Sequence, residues 1–207
     1  MSSRRRLLAV LIFTMSFAGS GVAFAQSSGP RVEVGGHVSL LNLSDFSSST
    51  NTGVGGRFTF DVAPWLAAEA EVTFFPHDDA LIRSAETPGI EYHRRRTEAL
   101  FGAKIGVRGE RAGLFAKVRP GLTSLSHTGV SCHGDQCALI LLALPEYRTE
   151  FALDLGGVFE FYPSPRFVTR FDFGDTMIRH RSFAPPCAAR ECTSHNFNTR
   201  FGVGVRF

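Results

Sequence analysis

The residues in this chain whose types could support catalysis lie near its C-terminus. They are the serines and histidines of His180-Arg181-Ser182 and Ser194-His195, with Asp175 just before them. A hydroxyl nucleophile, an imidazole base and a carboxylate that orients the base are the parts of a hydrolytic triad. The sequence shows the residue types but not whether they reach one another. We therefore favour surface residues that bind water or polar head groups, and we assign no catalytic residue.

A second reactive group is formed by four cysteines. Cys132 and Cys137 are close in sequence, as are Cys187 and Cys192. Four cysteines allow three pairings, and proximity favours the two local ones. The alternative is a zinc site built from Cys132, His133, Cys137 and His127. Because thiols exported to an oxidising compartment seldom stay free, we predict two disulfides, with no metal and no cofactor.

Charged residues of both signs recur at alternate positions of several segments. Alternate residues of a strand share one face, so these side chains would meet inside a closed sheet and form ion pairs. The predicted members of this interior network are Glu33, Arg57, Asp61, Glu69, Glu71, Glu98, Lys104, Lys117, Arg119, Glu150, Asp154, Arg170, Asp172 and Arg200. A separate basic run, Arg94-Arg95-Arg96, is suited to bidentate phosphate contacts, as in lipopolysaccharide. The alternative is that these arginines are hydrated charges at the foot of a loop and bind no ligand.

The positions between the charged ones are apolar in eight segments of about ten residues. The last segment shows the pattern clearly, with Phe197, Phe201, Val203, Val205 and Phe207 on one face. Eight alternating segments predict an all-β, antiparallel, up-and-down barrel. Glycines and paired charges suit a narrow interior, so we favour an apolar face toward lipid. A soluble secreted lipocalin-like barrel, apolar inside, is the alternative.

The connections between segments alternate in length. Short turns are expected at residues 63–65, 108–112 and 162–165, and long loops at about 42–51, 76–96, 124–146 and 176–195. Short periplasmic turns and long extracellular loops are typical of outer-membrane barrels. Trp65 and Tyr162 would then belong to an aromatic girdle at the turns. Pro120 lacks a backbone N–H and predicts a bulge or an early strand end, and the role of the apolar run 139–144 stays open.

The N-terminus has the pattern of a cleavable export signal. Arg4, Arg5 and Arg6 precede a short apolar run, and small residues lead to a cleavage site after Ala25. We therefore expect a signal peptide at 1–25 and one barrel domain at 26–207. The chain has 22 basic and 19 acidic residues; without the three signal arginines the charges balance. Nucleic acid is accordingly not an expected partner.

The chain resembles the small eight-stranded outer-membrane barrels of the OmpA and OmpX type. The resemblance is carried by Arg200-Phe-Gly-Val-Gly-Val-Arg-Phe207, by Ala63-Pro64-Trp65-Leu66-Ala67-Ala68-Glu69 and by Arg170-Phe-Asp172-Phe-Gly-Asp175. It implies insertion by the outer-membrane assembly machinery, which would read the C-terminal aromatic strand through Phe201 and Phe207. It also implies contact with outer-membrane lipid and lipopolysaccharide.

The function that we expect is a non-enzymatic integral outer-membrane protein. Its role would be structural or surface-binding, with a plugged polar lumen, a monomeric state and an extracellular ligand that the sequence does not identify. The alternatives are a narrow solute channel and, further off, a lipid-modifying enzyme of the outer membrane or the soluble lipocalin-like binder. Fold alone does not choose between them.

Overall fold

The described residues of a computed structural model of the chain form nine β-strands. The structure describes residues 31–43, 49–77, 80–84, 87–131, 147–180 and 192–207. The strands are β1 (Arg31–Leu43), β2 (Ser49–Ala63), β3 (Leu66–Phe75), β4 (Ala80–Ser84), β5 (Thr87–Arg108), β6 (Ala112–Ser131), β7 (Tyr147–Phe161), β8 (Phe167–His180) and β9 (Cys192–Arg206). In this part of the chain, no helix has the length and apolar character that crossing a membrane requires.

Eight of these strands close into a barrel. Neighbours along the chain from β5 to β9 pair antiparallel, and β9 pairs with β1. β1 continues to β2 and β2 to β3, and β3 then pairs with β5. The ring therefore has no open edge. The short β4 pairs with the first part of β5 as a hairpin beyond the ring. The predicted all-β, eight-stranded antiparallel barrel is confirmed.

The two faces of the strands carry opposite chemistry. Phe101 is 66% exposed on the outside, whereas Arg119 is fully buried inside. The same alternation holds for the described side chains of the other strands of the ring, with Val and Phe outside and charged residues inside. Exposing aromatic rings to water while burying guanidinium groups would be unfavourable on both counts. The arrangement suits a lipid environment and argues against the soluble lipocalin-like alternative.

The expected long loops at 76–96 and 124–146 are wrong in part, because strands extend into them. β5 begins at Thr87 and β6 runs to Ser131, and the two remain paired as far as Glu91 opposite Ser131. The expected loops at 42–51 and 176–195 are shortened in the same way. Apolar alternation marks where a strand touches lipid, but backbone pairing continues beyond that point. The residues of the run 139–144 lie outside the described part of the chain.

The expected bulge or strand end at Pro120 is also wrong. β6 passes through Pro120 without a change of register, and Pro120 pairs opposite Leu153 of β7. On the other side, the pairing with β5 is interrupted between Leu100 and Ala103 and then resumes in the same register. A Cβ on Gly102 would lie 2.1 Å from the Val118 carbonyl oxygen. The missing donor is thus accommodated where glycine lets two strands approach closely.

Candidate functional site

The interior of the barrel holds a connected network of ion pairs. Its basic members are Arg57, Lys104, Arg108, Lys117, Arg119, Arg170, Arg200 and Arg206, and its acidic members are Glu33, Asp61, Glu69, Glu71, Glu98, Asp154, Glu160 and Asp172. The two sets are equal in number, so their charges cancel when all are ionised. A neutral, paired interior can hold strands together but presents no excess of either sign to a passing ion.

Arg119 on β6 lies at the centre of this network. Its Nη1 is 2.8 Å from Glu71 Oε2, and its Nη2 is 2.5 Å from Asp154 Oδ2 and 3.4 Å from Asp172 Oδ2. Arg200 on β9 contacts two of the same carboxylates, with its Nε 2.9 Å from Glu71 Oε1 and its Nη1 3.0 Å from Asp154 Oδ2. Each of those two carboxylates is therefore shared by at least two cations, which offsets the cost of burying its charge.

The structure places all fourteen residues predicted for the network inside the barrel. Glu150 differs from the others because it contacts Arg148 and His180 near the loops. The predicted set omits Arg108, Glu160 and Arg206. Arg108 falls in an expected turn, but it ends β5 with its guanidinium on Asp61, at 2.5 and 2.8 Å. Glu160 and Arg206 occupy the same alternate, inward-facing positions as the other charged residues of β7 and β9, and this is the sequence signal that identifies them.

Aromatic and charged side chains contact one another inside the end of the barrel that has the three short connections. Tyr162 is buried there, which corrects its expected place in an outer girdle; Trp65 is exposed. The Tyr162 hydroxyl donates to Glu160 Oε2 at 2.7 Å and accepts from Arg108 Nε at 3.2 Å. The Arg206 guanidinium lies 4.1 Å from the ring centroid. Burial and the neighbouring Glu160 carboxylate raise the pKa of Tyr162 to about 12.

Phe115 adds to the same group of contacts. Its ring is buried inside the barrel, 4.9 Å from Lys104 Nζ and 5.5 Å from the Arg108 guanidinium carbon. These are cation–π distances. The neighbours Leu114 and Phe115 are both apolar, and such a pair on a strand places one apolar side chain on each face. That doubling is the sequence signal for an aromatic residue inside the barrel.

Apolar side chains also occupy the interior toward the long connections. Leu41, Leu43 and Phe75 form one buried cluster, and a second consists of Leu100, Ala152 and Ile178. Several of these residues again follow an outward apolar neighbour, as in Leu40-Leu41 and Phe74-Phe75. The interior therefore changes from aromatic and ionic at the turns, through the ion network, to partly apolar near the loops.

The predicted triad residues are divided between the two faces. His195 Nδ1 lies 2.6 Å from Asp175 Oδ2 on the outer surface. Ser194 and His180 face inward, with Ser194 Oγ 2.8 Å from His180 Nε2. Ser182 lies outside the described residues. The carboxylate beside His180 is Glu150, at 2.8 Å from its Nδ1, and the sequence gives no sign of this because Glu150 is on another strand.

The arginine run does not present one continuous surface. Arg95 is exposed and Arg96 is buried in the barrel, since consecutive residues of a strand face opposite sides. Arg96 is therefore removed from the predicted lipopolysaccharide contact. The Arg94 side chain lies outside the described part of the structure.

The remaining predicted residues are the cysteines, the candidate zinc ligands and two phenylalanines near the C-terminus. Cys192, at the start of β9, is disulfide-bonded, while Cys132, Cys137, Cys187, His133 and the His127 side chain fall outside the described residues. Among the residues that the structure describes, no group of histidine, cysteine and carboxylate side chains is arranged to hold a metal.

Phe201 and Phe207 are exposed on the outer face, Phe207 by 78%. The backbone N–H of Phe207 donates to the Val32 carbonyl at 2.8 Å, so the C-terminus is tied to β1.

Comparisons with known proteins give structural neighbours alone. No protein-family model matches the chain, and no curated protein matches it. A major outer membrane protein from Thermus thermophilus aligns with a TM-score of 0.57 and 12% identity, over 86% of this chain and 100% of the other. Ail, the attachment invasion locus protein of Yersinia pestis, aligns with a TM-score of 0.51 and 13% identity, over 86% and 97%.

Neisserial surface protein A gives a third alignment of the same kind. Its TM-score is 0.51 with 12% identity, over 87% of this chain and 98% of the other. At such low identity the likeness concerns the backbone, and it agrees with the closed ring of eight strands described above. The chain has the fold of the small eight-stranded outer-membrane β-barrels.

Proposed function

We propose that the protein is a structural outer-membrane barrel whose lumen is closed and whose loops present a binding surface outside the cell. The observation that carries this proposal is the charge-balanced ion network, which spans the interior from Glu33 to Glu98. An eight-stranded barrel has an interior that side chains can fill. Here the filling groups are themselves paired, so an ion crossing the lumen would have to displace existing partners.

The contacts at the turn end support the same conclusion. Tyr162, Phe115 and Arg108 contact one another or share partners there. Farther along, the cluster around Leu100 and Ile178 adds an apolar layer. Apolar constrictions and paired charges both oppose conduction of ions. The narrow solute channel is therefore the less favoured function.

The outward apolar face supports a location in the outer membrane. The exposed rings of Phe101, Phe171 and Phe201 would contact lipid, and the short turns at 64–65, 109–111 and 162–166 would face the periplasm. The export signal at 1–25 and the two local disulfides are parts of this proposal. Insertion would use the outer-membrane assembly machinery through the C-terminal strand.

The extracellular ligand would bind to the loops, since the outer face of the barrel is committed to lipid and the ion network to internal pairs. Two of the structural neighbours carry names that describe an attachment protein and a surface protein, and this is consistent with a loop-borne role. Arg95 projects outward close to the loops and is the member of the arginine run that remains suited to a lipopolysaccharide phosphate. The expected state is a monomer.

The first test is the mobility of the mature chain on a detergent gel, unboiled against boiled. A folded membrane barrel resists unheated detergent and changes its mobility on boiling. Reconstitution of the shifting protein into a planar bilayer then tests the closed lumen. We expect no stable single-channel conductance, and a steady conductance would contradict the closed lumen while leaving the barrel intact.

A matched variant makes the conductance test sharper. Replacing Arg119 with alanine removes the central cation of the lumen, and replacing exposed Arg95 with alanine removes a cation outside it. If wild-type protein and Arg95→Ala are silent while Arg119→Ala conducts, the network is what closes the lumen. Exchange of the loops for those of another small barrel tests surface binding, which should follow the loops.

A further inference from the structure

A serine, a histidine and a glutamate lie at the loop end of the lumen in the order used by nucleophilic hydrolases. Ser194 Oγ is 2.8 Å from His180 Nε2, and His180 Nδ1 is 2.8 Å from Glu150 Oε2. From these contacts we propose that the group is an esterase site. Ser194 is the nucleophile, His180 is the general base, and Glu150 is a positioning residue that acts through the histidine. This activity goes beyond the proposed structural role and does not depend on it.

Three adjacent strands bring the residues together. β9 pairs with β8 so that Ser194 lies opposite Ile178, and β8 pairs with β7 so that Ile178 lies opposite Ala152. Ser194, His180 and Glu150 all face the interior. Side chains held on paired strands have little freedom, so the arrangement is set by the barrel and not by the loops.

The hydrogen bonds of Ser194 and the ion-pair contact of His180 give the atoms their roles. His180 Nδ1 and Glu150 Oε2 lie at ion-pair distance without the alignment of a hydrogen bond. With the His180 proton on Nδ1, on the side of the Glu150 carboxylate, Nε2 accepts from the Ser194 hydroxyl. Asn196 Nδ2 donates to Ser194 Oγ at 3.1 Å and to the Thr176 carbonyl oxygen at 3.1 Å. The Thr176 carbonyl fixes which end of the Asn196 amide points at the serine. Both amide protons of Asn196 are therefore used, and the one on Ser194 Oγ helps to hold the hydroxyl in its orientation toward His180 Nε2.

The surroundings limit the substrate. Ile178 lies two residues before His180 on the same face and belongs to an apolar cluster. The His180 side chain keeps 7% exposure and Arg148, beside Glu150, keeps 19%, whereas Arg119 and Asp154 in the ion network keep none. The group therefore lies where the interior begins to open. A narrow interior above an apolar floor suits a carboxylic ester with a short acyl chain, entering from the loop end.

The reaction is hydrolysis of the ester by water. Ser194 Oγ attacks the carbonyl carbon while His180 Nε2 takes the hydroxyl proton. The bond to the alcohol oxygen then breaks, and His180 returns the proton to that oxygen, which leaves an acyl group on Ser194. A water molecule attacks this acyl-enzyme as His180 takes its proton. The acid leaves and Ser194 Oγ is reprotonated, so one ester and one water give one acid and one alcohol.

The test uses the complete mature barrel, folded in detergent and checked by its heat-shifted mobility. Hydrolysis of p-nitrophenyl acetate is measured, and a fluorophosphonate label is located by mass spectrometry. We expect turnover and a label on Ser194, with both lost in Ser194→Ala. Ser39→Ala is the matched control, because Ser39 is also buried in the lumen but bonds to Asn198, at 3.0 Å. That variant should keep wild-type rates.

Glu150→Gln tests the positioning role separately. Loss of a triad carboxylate should lower kcat by about 100-fold or more with little change in KM, whereas a purely structural role would leave kcat of the folded fraction unchanged. If this variant does not fold, the comparison of Ser194→Ala with Ser39→Ala decides alone. Folded wild-type protein that hydrolyses no faster than Ser194→Ala, or that takes no label at Ser194, would overturn the proposal. Neither outcome bears on whether the lumen is closed.

Discussion

Replacing Arg119 with methionine tests how much the ion network contributes to stability. Methionine fills much of the same space but leaves Glu71, Asp154 and Asp172 without the guanidinium that they share. The charge of the network changes from zero to −1. Removing one partner of a buried ion pair costs about 3–5 kcal/mol. Because Arg200 still contacts Glu71 and Asp154, we expect the lower end, about 3 kcal/mol.

The free energy of unfolding can be followed through Trp65, since the chain has one tryptophan and it lies exposed at the turn end. Urea titration in lipid vesicles, monitored by its fluorescence, gives the unfolding midpoint and slope. Arg95→Met is the matched control, because the same change at an exposed site should alter the free energy of unfolding by less than about 0.5 kcal/mol. The double variant Arg119→Met with Asp154→Asn restores the charge balance.

The double variant should be more stable than Arg119→Met alone by about 1 kcal/mol or more, because contacting residues are coupled. The reasoning would be refuted if Arg119→Met unfolded within about 0.5 kcal/mol of the wild-type protein. It would also fail if the double variant were less stable than the single one. Either result would mean that the carboxylates find other partners when Arg119 is removed.

Three further predictions concern the turn end, the lipid face and the close approach of β5 to β6. Tyr162→Phe should lower the free energy of unfolding by about 1–3 kcal/mol, because Glu160 and Arg108 lose a buried partner. The pKa of Tyr162 is raised to about 12. Its stabilising contribution is therefore complete below about pH 10, the ordinary tyrosine pKa, and is lost as the pH rises toward 12. Free energies of unfolding measured at about pH 9 and pH 12 should show this loss in wild-type protein and not in Tyr162→Phe. Phe101→Arg should cost about 2–4 kcal/mol in vesicles, measured against Phe101→Leu, and equal stability of the two would contradict a lipid-facing position. Gly102→Ala should reduce the folded yield on the heat-shift gel, because its Cβ would lie 2.1 Å from the Val118 oxygen, whereas Gly36→Ala, whose Cβ would come no closer than 3.7 Å to a neighbouring atom, should fold normally.

The faces of the strands could be predicted from the sequence because a strand has a period of two. Phe58 could be assigned to the outer face and Arg57 to the inner face without knowing which strands pair beside them. The number of strands in the ring followed from the number of alternating segments. The inward apolar residues Leu41 and Phe75 break the alternation. Each follows an outward apolar neighbour, and this doubling is a signal that reasoning from strict alternation does not use.

Partners across the lumen could not be predicted in the same way. Arg119 and Glu71 lie on β6 and β3, which are not neighbours in the ring. Their contact depends on the stagger and tilt of all the strands between them, and a single-residue change of register would turn an inward side chain outward. The contact between His180 and Glu150 has the same origin, since it depends on the register of β7 against β8.

The choice of ion pairs to fill the lumen has a reason beyond the folded state. Buried ion pairs are often no more stabilising than apolar side chains of the same volume, so an apolar filling could stabilise the barrel equally well. A chain apolar on both faces, however, would contain long apolar runs that aggregate or are retained as helices in the membrane that it crosses. Alternating charges keep the mean hydropathy of the chain at +0.02, although its folded exterior is largely apolar. The ion network therefore also keeps the unfolded chain from being apolar throughout, and we expect that exchanging Arg170 and Asp172 for leucines would reduce export and insertion more than it reduces the stability of the folded protein.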